Sequence, residues 1–277
     1  MISTSMPRVQ LSRTSDKIKK LAVFSALIST FVYSFTMLDL DLARFTNRLL
    51  ENTVPVISLM VMSFDATVLP EAMTEMLVSL SLATAALFVG FWVSIVLAFF
   101  AASNTAPNKF LAFAIKSLMA VIRAVPSLVW LLMIVASIGF GNTAGMVGLL
   151  LSTCGYLVKS FAASIEEKGS ETIEALRATG APWLAIMIKG VLPGVVSPFL
   201  SWSSIRFEAN IAESIGLGMV GVGGIGALLM RSIRSNNFGR IMAILTVIFV
   251  VLLAVEILSI IIRRKINTKH TGGTSEN

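Results

Sequence analysis

The sequence predicts an all-α polytopic membrane protein with six transmembrane helices. Only 13% of the 277 residues are charged and 56% are hydrophobic, whereas charged residues make up about 25% of a soluble domain. The charges lie mostly between apolar runs, and roughly 20 apolar residues suffice for a helix to cross the hydrocarbon core. One cysteine and one histidine, Cys154 and His270, exclude a disulfide framework and a Cys/His zinc site made by this chain alone.

The first predicted span covers residues 21–38 and follows a basic segment, residues 1–20. This pattern also fits a signal peptide, but no small-residue cleavage site follows it, which favours an uncleaved anchor. Residues 39–75 form an acidic segment on the far side of the membrane. Its apolar run at residues 54–64 is too short to span and predicts an interfacial helix. The second span, residues 76–100, begins a core domain that extends to residue 262.

The uncharged stretch between Arg123 and Lys159 is too long for one crossing and too short for two. A turn is predicted in its middle, at residues 139–142, where two glycines and an asparagine cluster. The third helix therefore starts near Phe110 and runs on through Arg123, which places this arginine inside a membrane helix. The fourth span is predicted at residues 143–163. The fifth begins at Leu192, with Pro193 in its first turn, and the sixth covers residues 241–262.

The distribution of Lys and Arg predicts the orientation. Fourteen of the 22 fall in residues 1–20, 103–109, 159–190 and 263–277, against two in residues 39–75 and three in residues 227–240. The positive-inside rule therefore places both termini, and the tail at 263–277, in the cytoplasm. Three arginines on the external side are exceptions to this rule: Arg231, Arg234 and Arg240. They are either ordinary solvated charges or groups that favour an anion or an acidic partner.

The cytoplasmic loop at residues 164–190 has the composition of two short helices. Good helix formers around Glu174 and Ala175 lead to Gly180, which is expected at the C′ position of the first helix. Ala181 follows, and Pro182 can then start a second helix. Small residues around this turn permit close backbone approach, so the loop is expected to dock into a cleft of a peripheral partner.

The spacing within this loop resembles the EAA loop of ABC importer permeases, E-A-A-x3-G-x9-I-x-L-P. Glu174, Gly180 and Leu192-Pro193 match it, while Leu176 replaces the second alanine and Gly190 replaces the isoleucine. Three further segments resemble the permease subunit of phosphonate-type ABC importers, which also serve phosphite and hypophosphite. These segments are residues 123–126, 203–210 and 218–226, and the similarity covers about residues 76–265.

The resemblance implies a type I importer transmembrane domain in the bacterial inner membrane, surrounded by lipid and not itself an enzyme. Two copies would form the pathway, by default a homodimer, with an external substrate-binding protein and cytoplasmic ATPase subunits as partners. No G-x-x-x-x-G-K-[ST] phosphate loop occurs in the chain, so ATP and Mg²⁺ are expected on the ATPase and no cofactor or nucleic acid on this chain. The residues expected to couple to the ATPase are Glu174, Ala175, Gly180, Ala181 and Pro182.

Charged residues at membrane depth are costly unless they are paired or face a watery interior. Arg206, Asn210 and Glu213 share one face of the fifth helix by their spacing. They either line the translocation path, with the forked donors of Arg206 suited to an oxyanion, or form an internal salt-bridge network. The same alternatives hold for Glu208 and for Arg123, whose pairing partner could be Glu213 or Glu256.

The glycine-rich run at 221–226 formally spells G-x-G-x-x-G, but it follows a membrane helix and lacks the strand of a dinucleotide-binding unit. Gly221, Gly223 and Gly224 either allow close helix packing or form non-helical backbone at a gate beside the path.

Two other classes of function compete with a phosphonate-type permease. Within the class of importer permeases, an amino-acid or methionine importer permease is the nearest alternative, and the intramembrane Arg206 and Glu208 argue against it. An ATP-independent channel or carrier would not need the loop around Glu174. A membrane-embedded protease would need a His-Glu-x-x-His or Gly-x-Ser-x-Gly element, and this sequence contains neither.

Overall fold

The computed structural model describes residues 14–38, 41–168 and 170–271, and within these residues all regular secondary structure is helical. The chain divides into two compact units, Met1–Ser58 and Leu59–Asn277. Helices are labelled α1 to α11 in chain order.

The first unit contains α1, Thr14–Met37, and most of α2, Leu42–Met62. Asp41 begins α2, because its carboxylate accepts the backbone N–H of Arg44 at 3.0 Å and pairs with the guanidinium of the same residue. The apolar run predicted at residues 54–64 thus lies largely in the second half of a longer helix that ends at Met62 and whose first half carries charges. This helix, with Pro55 inside it, is not among the helices of the described chain that are long and apolar enough to cross a membrane.

The second unit begins with the end of α2 and a 3₁₀ turn at Ala66–Val68, in which the Asp65 carboxylate accepts the backbone N–H of Thr67. The helices that follow are α3 (Leu69–Ala101), α4 (Lys109–Ala124), α5 (Ser127–Ile138), α6 (Asn142–Lys168), α7 (Ser170–Ala178), α8 (Trp183–Ala185), α9 (Leu192–Leu217), α10 (Gly224–Arg234) and α11 (Phe238–Thr271). Wider π-helical turns join α8 to α9 at Ile186–Val191 and continue α9 at Gly218–Val222.

Helices α3, α6 and α9 pack against one another and form the centre of this unit. Phe161 of α6 stacks on Phe199 of α9 with ring centroids 4.0 Å apart, and Phe91 of α3 meets Phe161 edge-on. Small residues let α3 approach closely: a methyl group at Gly90 would lie 2.7 Å from the Thr153 side chain on α6. Helix α5 packs on α6, while α10 and α11 pack on α3 and on each other.

Five helical segments of the described chain are long and apolar enough to span a membrane, and six are counted if α4 and α5 form one broken span. The predicted number of spans is therefore confirmed, but a continuous third helix through Arg123 is wrong. The chain bends by 90° between α4 and α5, because Pro126 disfavours the helical conformation at Val125 and lacks a backbone N–H. Arg123 lies in the last turn of α4, just before this bend.

Candidate functional site

The helix-turn-helix loop predicted around Gly180 is present. Helix α7 ends in a Schellman motif, in which the N–H of Ala181 bonds to the carbonyl of Leu176 and the N–H of Gly180 to the carbonyl of Arg177. Gly180 has φ +73° and nothing lies within 4 Å of the place where its side chain would be. The residues predicted to couple to a partner, Glu174, Ala175, Gly180, Ala181 and Pro182, are exposed except for the half-buried Ala181.

Two side chains hold this loop against the segment that joins α3 to α4. Arg177 donates a hydrogen bond to the carbonyl of Asn104 at 3.0 Å, and the indole N–H of Trp183 donates to the carbonyl of Thr105 at 2.7 Å. The Trp183 ring also stacks on Phe100, with centroids 5.6 Å apart. The exposed turn is therefore attached to the end of α3 and to the segment after it through contacts on both of its flanks.

The two departures from the EAA pattern touch each other. A methyl group added at Gly190 would lie 2.4 Å from Cδ1 of Leu176, so the leucine side chain occupies the space that a larger residue at 190 would need. A larger residue at one position is balanced by a smaller residue at the other, which conserves the volume of the contact. The spacing of the motif alone does not reveal this relation.

Arg206 lies at the centre of a polar cluster between α9 and α6, and only 6% of the residue is exposed. Its Nη2 atom lies 3.0 Å from Glu213 Oε1 and donates to Ser152 Oγ at 2.9 Å. The guanidinium carbon lies 5.8 Å from the centroid of the Tyr156 ring, which adds a cation–π contact. The charge of Arg206 is thus neutralised within the chain in this conformation.

Asn210 is fully buried on the same face of α9, one turn after Arg206. Its Oδ1 atom accepts a hydrogen bond from Thr153 Oγ1 at 3.0 Å, and the Arg206 Nε atom lies 3.4 Å from the same hydroxyl. Glu213 is 27% exposed at its side chain, but its second oxygen, Oε2, is buried without a hydrogen-bond partner among the described residues. The spacing prediction that these three α9 residues share a face is confirmed, whereas their α6 partners carried no signal in the sequence.

Glu208 points away from this cluster and pairs with Arg263 of α11 at 3.1 Å. Arg123 makes no ion pair with any described residue, so neither Glu213 nor Glu256 is its partner here. Its stem instead crosses α6 at Gly155, where a methyl group would lie 2.9 Å from Arg123 Cγ. The polar and charged residues predicted to line the path therefore lie in three places: the α9–α6 cluster, the α9–α11 pair and the end of α4.

The glycine-rich segment combines irregular backbone with close packing. Gly221, Gly223 and Gly224 all have positive φ, at +111°, +116° and +71°. At Gly224 a methyl group would lie 2.3 Å from Ser79 Oγ of α3, and that hydroxyl accepts the N–H of Ile225 at 3.1 Å. Both readings of the sequence therefore have a structural basis. A cavity of about 550 Å³ borders the segment at Gly218–Gly221 and is also lined by Phe140, Arg231 and Arg234.

The arginines that violate the positive-inside count have an acidic neighbour that the sequence analysis missed. Glu71, in the first turn of α3, pairs with Arg240 at 2.7 Å and with Arg231 at 3.5 Å. Arg234 makes no ion pair with a described residue. Two of the three exceptions are thus compensated by one carboxylate from a distant part of the chain.

Comparison with known proteins gives the family. Residues 94–270 match the model of the binding-protein-dependent transport system inner membrane component family. The chain is 37% identical over 186 residues to the phosphite transport system permease protein PtxC of Stutzerimonas stutzeri, and the match covers 67% of each chain. It is 33% identical over 253 residues to the phosphate-import permease protein PhnE of Mycolicibacterium smegmatis, with 91% of this chain and 47% of the relative covered. The chain thus spans about half the length of PhnE and two thirds of the length of PtxC.

Solved structures show the same fold. The MetNI methionine ABC transporter in an inward-facing conformation superposes with a TM-score of 0.66 at 18% identity, over 73% of this chain and 99% of the transporter chain. An amino acid ABC transporter superposes with a TM-score of 0.58 at 20% identity, over 77% and 96%. The relatives are named as permeases and not as enzymes, and the motif resemblance to phosphonate-type permeases is confirmed. The chain belongs to the family of binding-protein-dependent transport system inner membrane components.

Proposed function

We propose that this chain is the permease subunit of an ATP-driven importer that passes phosphonate or a related phosphorus oxyanion across the bacterial inner membrane. The names of its relatives, which include a phosphite and a phosphate permease, support this class of cargo. Both termini are cytoplasmic in this proposal, as the distribution of Lys and Arg favours. ATP and Mg²⁺ are bound by the partner ATPase, and the binding protein delivers cargo from outside.

The exposed turn at Gly180 is the single observation that carries the coupling role. It is a rigid and solvent-facing corner with no side chain at its tip, which suits insertion into a cleft of another protein. The hydrogen bonds of Arg177 and Trp183 connect it to the α3–α4 segment, so movement of a docked ATPase would reach the membrane helices. A second copy of the chain, related by twofold symmetry, would complete the pathway.

The α9–α6 cluster is proposed to line the conduit. In the present conformation Arg206 is occupied by Glu213, Ser152 and Tyr156, so an oxyanion would reach the guanidinium only by replacing the carboxylate of Glu213. The guanidinium fork fits two oxygens of a phosphorus oxyanion as it fits a carboxylate. Such an exchange gives weak and reversible binding, which suits a conduit better than a storage site. The glycine-rich segment beside the cavity at Arg231 and Arg234 would form the external gate.

The proposal is tested by reconstitution. The chain is co-expressed with candidate ATPase and binding-protein partners, and ATP hydrolysis by the purified assembly is measured with binding protein loaded with phosphonates, phosphite, phosphate or methionine. We expect stimulation by phosphonates or phosphite. Stimulation by methionine alone would contradict the class of cargo, and failure of every ATPase to copurify would contradict the importer itself.

A pair of variants at one position tests the coupling turn. Gly180→Arg places a long cation at the tip and should abolish copurification of the ATPase while the chain still inserts into the membrane. Gly180→Asn is the matched control, because asparagine tolerates positive φ and is short. Normal coupling in Gly180→Arg, or equal loss in both variants, would contradict docking through this turn.

A further inference from the structure

A small cavity of about 290 Å³ lies between α4 and α6, beside the end of α3. Four of its lining residues are charged, namely Lys116 and Arg123 of α4 and Lys159 and Glu166 of α6. The other lining residues are alanines, a methionine and a valine. The cavity is therefore an apolar pocket with three cationic groups and one carboxylate.

The carboxylate of Glu166 already has partners within the chain. Glu166 accepts Lys116 Nζ at 2.6 Å and the backbone N–H of Ser103 at 2.7 Å. Neither Arg123 nor Lys159 has an acidic partner within 4.0 Å among the described residues. The pocket thus carries about two positive charges that no side chain in this part of the structure neutralises. Both residues are exposed, so their charge is compensated only by water or by a counter-anion that enters the open pocket.

The cations of α4 continue beyond the pocket. Lys109, Lys116 and Arg123 are seven residues apart, so they lie along one face of the helix. Lys109 is the exposed first residue of α4, and Arg123 lies in its last turn before the bend at Pro126. Gly155 allows the Arg123 stem to lie directly on α6 above the pocket. All three residues are exposed, so they form a cationic stripe on the surface of α4 that runs from the bend to Lys109.

We propose that this pocket binds a phosphorus oxyanion, and that the oxyanion is cargo that has passed the conduit and leaves along the α4 stripe toward Lys109. This inference rests on the proposed function. A guanidinium fork and an ammonium on opposite helices supply two charges and several N–H donors, which match a doubly charged tetrahedral anion. The phosphate of an acidic lipid headgroup has the same chemistry, so the experiment has to separate the two sources.

Binding is measured on the purified full chain in a phosphorus-free maltoside detergent, with phosphite as the probe and its ³¹P NMR line width as the readout. Lys159→Met removes one unpaired charge and should weaken phosphite binding about tenfold, the factor expected for loss of a charged hydrogen bond. Lys159→Arg keeps the charge and should retain binding within about threefold. Arg48→Met, which removes an exposed arginine of the first unit, is the control and should bind phosphite as the wild type does.

Equal phosphite affinity in wild type and Lys159→Met would overturn the pocket assignment, as would equal loss in Lys159→Met and Lys159→Arg. A second arm adds phosphatidylglycerol to the detergent. If the chain retains phosphatidylglycerol through Lys159 but does not bind phosphite, the pocket is a lipid site and the cargo assignment is wrong.

The test is separable from that of the proposed function, because it needs neither ATPase nor binding protein. If phosphite stimulates ATP hydrolysis by the wild-type assembly but binds Lys159→Met as it binds the wild type, the pocket assignment is wrong and the proposed importer function stands. Phosphite binding that depends on Lys159 in a chain that recruits no ATPase would support the pocket and contradict the importer.

Discussion

Leu176 and Gly190 should behave as a size-compensated pair. Leu176→Ala removes most of a half-buried side chain and should cost about 1–2 kcal/mol, below the range for a fully buried leucine. Gly190→Ile places a Cβ atom 2.4 Å from Leu176 Cδ1, which forces the leucine to move. Such overpacking also costs about 1–3 kcal/mol.

The double variant restores the usual residues of the EAA pattern at both positions, because alanine at 176 leaves the space that isoleucine at 190 fills. We expect it to be nearly as stable as the wild type. The coupling between the two substitutions is then about 2–5 kcal/mol, the sum of the two single costs, which lies at or above the upper end of the range of about 0.5–3 kcal/mol seen for contacting residues. The sign is favourable, because each substitution removes the defect that the other creates.

The assay is thermal unfolding of the detergent-purified chain, followed by loss of the monodisperse peak in size-exclusion chromatography. Each single variant should unfold about 3–6 °C below the wild type, and the double variant within about 2 °C of it. Leu184→Ala is the matched control, because this leucine of the same loop is 60% exposed and should change little on truncation. A double variant as unstable as the sum of the singles would refute the compensation.

Three further predictions concern the membrane helices. Arg206→Ala should destabilise the chain by about 3 kcal/mol, because it leaves the partly buried Glu213 unpaired, and combining it with Glu213→Gln should recover part of that loss in the same unfolding assay. Arg206→Ala should also reduce transport while substrate capture by the binding protein is unchanged. Gly224→Ala should lower the unfolding temperature far more than Gly139→Ala: both glycines have positive φ, but only at 224 does the added methyl meet another helix. Glu71→Gln should change stability by less than about 1 kcal/mol, since its pairs are exposed.

The positions of the membrane spans could be predicted because the cost of charge in lipid leaves few alternatives. Helix α9 begins at Leu192 as predicted, and α6 begins at Asn142, one residue before the predicted start. The ends of the helices were predicted less accurately, since α6 continues to Lys168 and α11 to Thr271. The length of an apolar run shows which residues can cross the membrane, but a helix can continue beyond that run. The bend at Pro126 had a signal in the sequence, the proline itself, although the length of the uncharged stretch favours a continuous helix there.

The site was predictable only within one helix. Spacing alone brings Arg206, Asn210 and Glu213 onto one face, because a helix repeats every 3.6 residues. It gives no information about which other helix lies opposite. For this reason Ser152 and Thr153 of α6 had no signal, and the link between Glu71 and the arginines at the other end of the chain could not be anticipated.

Positive charge is neutralised to different degrees at three places, and this difference bears on how an anion would move. The carboxylate of Glu71 forms ion pairs with both Arg231 and Arg240, and that of Glu213 forms an ion pair with Arg206. In the α4–α6 pocket, two cations lack an acidic partner among the described residues. Under the proposed orientation, an oxyanion competes with a carboxylate at Arg206 but not in the pocket, so its affinity increases toward the cytoplasm.

Transport also requires that the last site release the anion, since conduction fails at a site that binds too tightly. The stripe on α4 offers a way out, because Lys109 at its end is exposed to solvent. At physiological ionic strength the attraction between exposed charges is screened over about 8 Å. Because Lys116, Arg123 and Lys159 are exposed as well, the attraction for the anion is screened along the whole route from the pocket to Lys109, so the anion can leave. Lys109→Met should then slow release from the pocket without weakening phosphite binding to it, and weaker equilibrium binding in that variant would show that Lys109 belongs to the binding site itself.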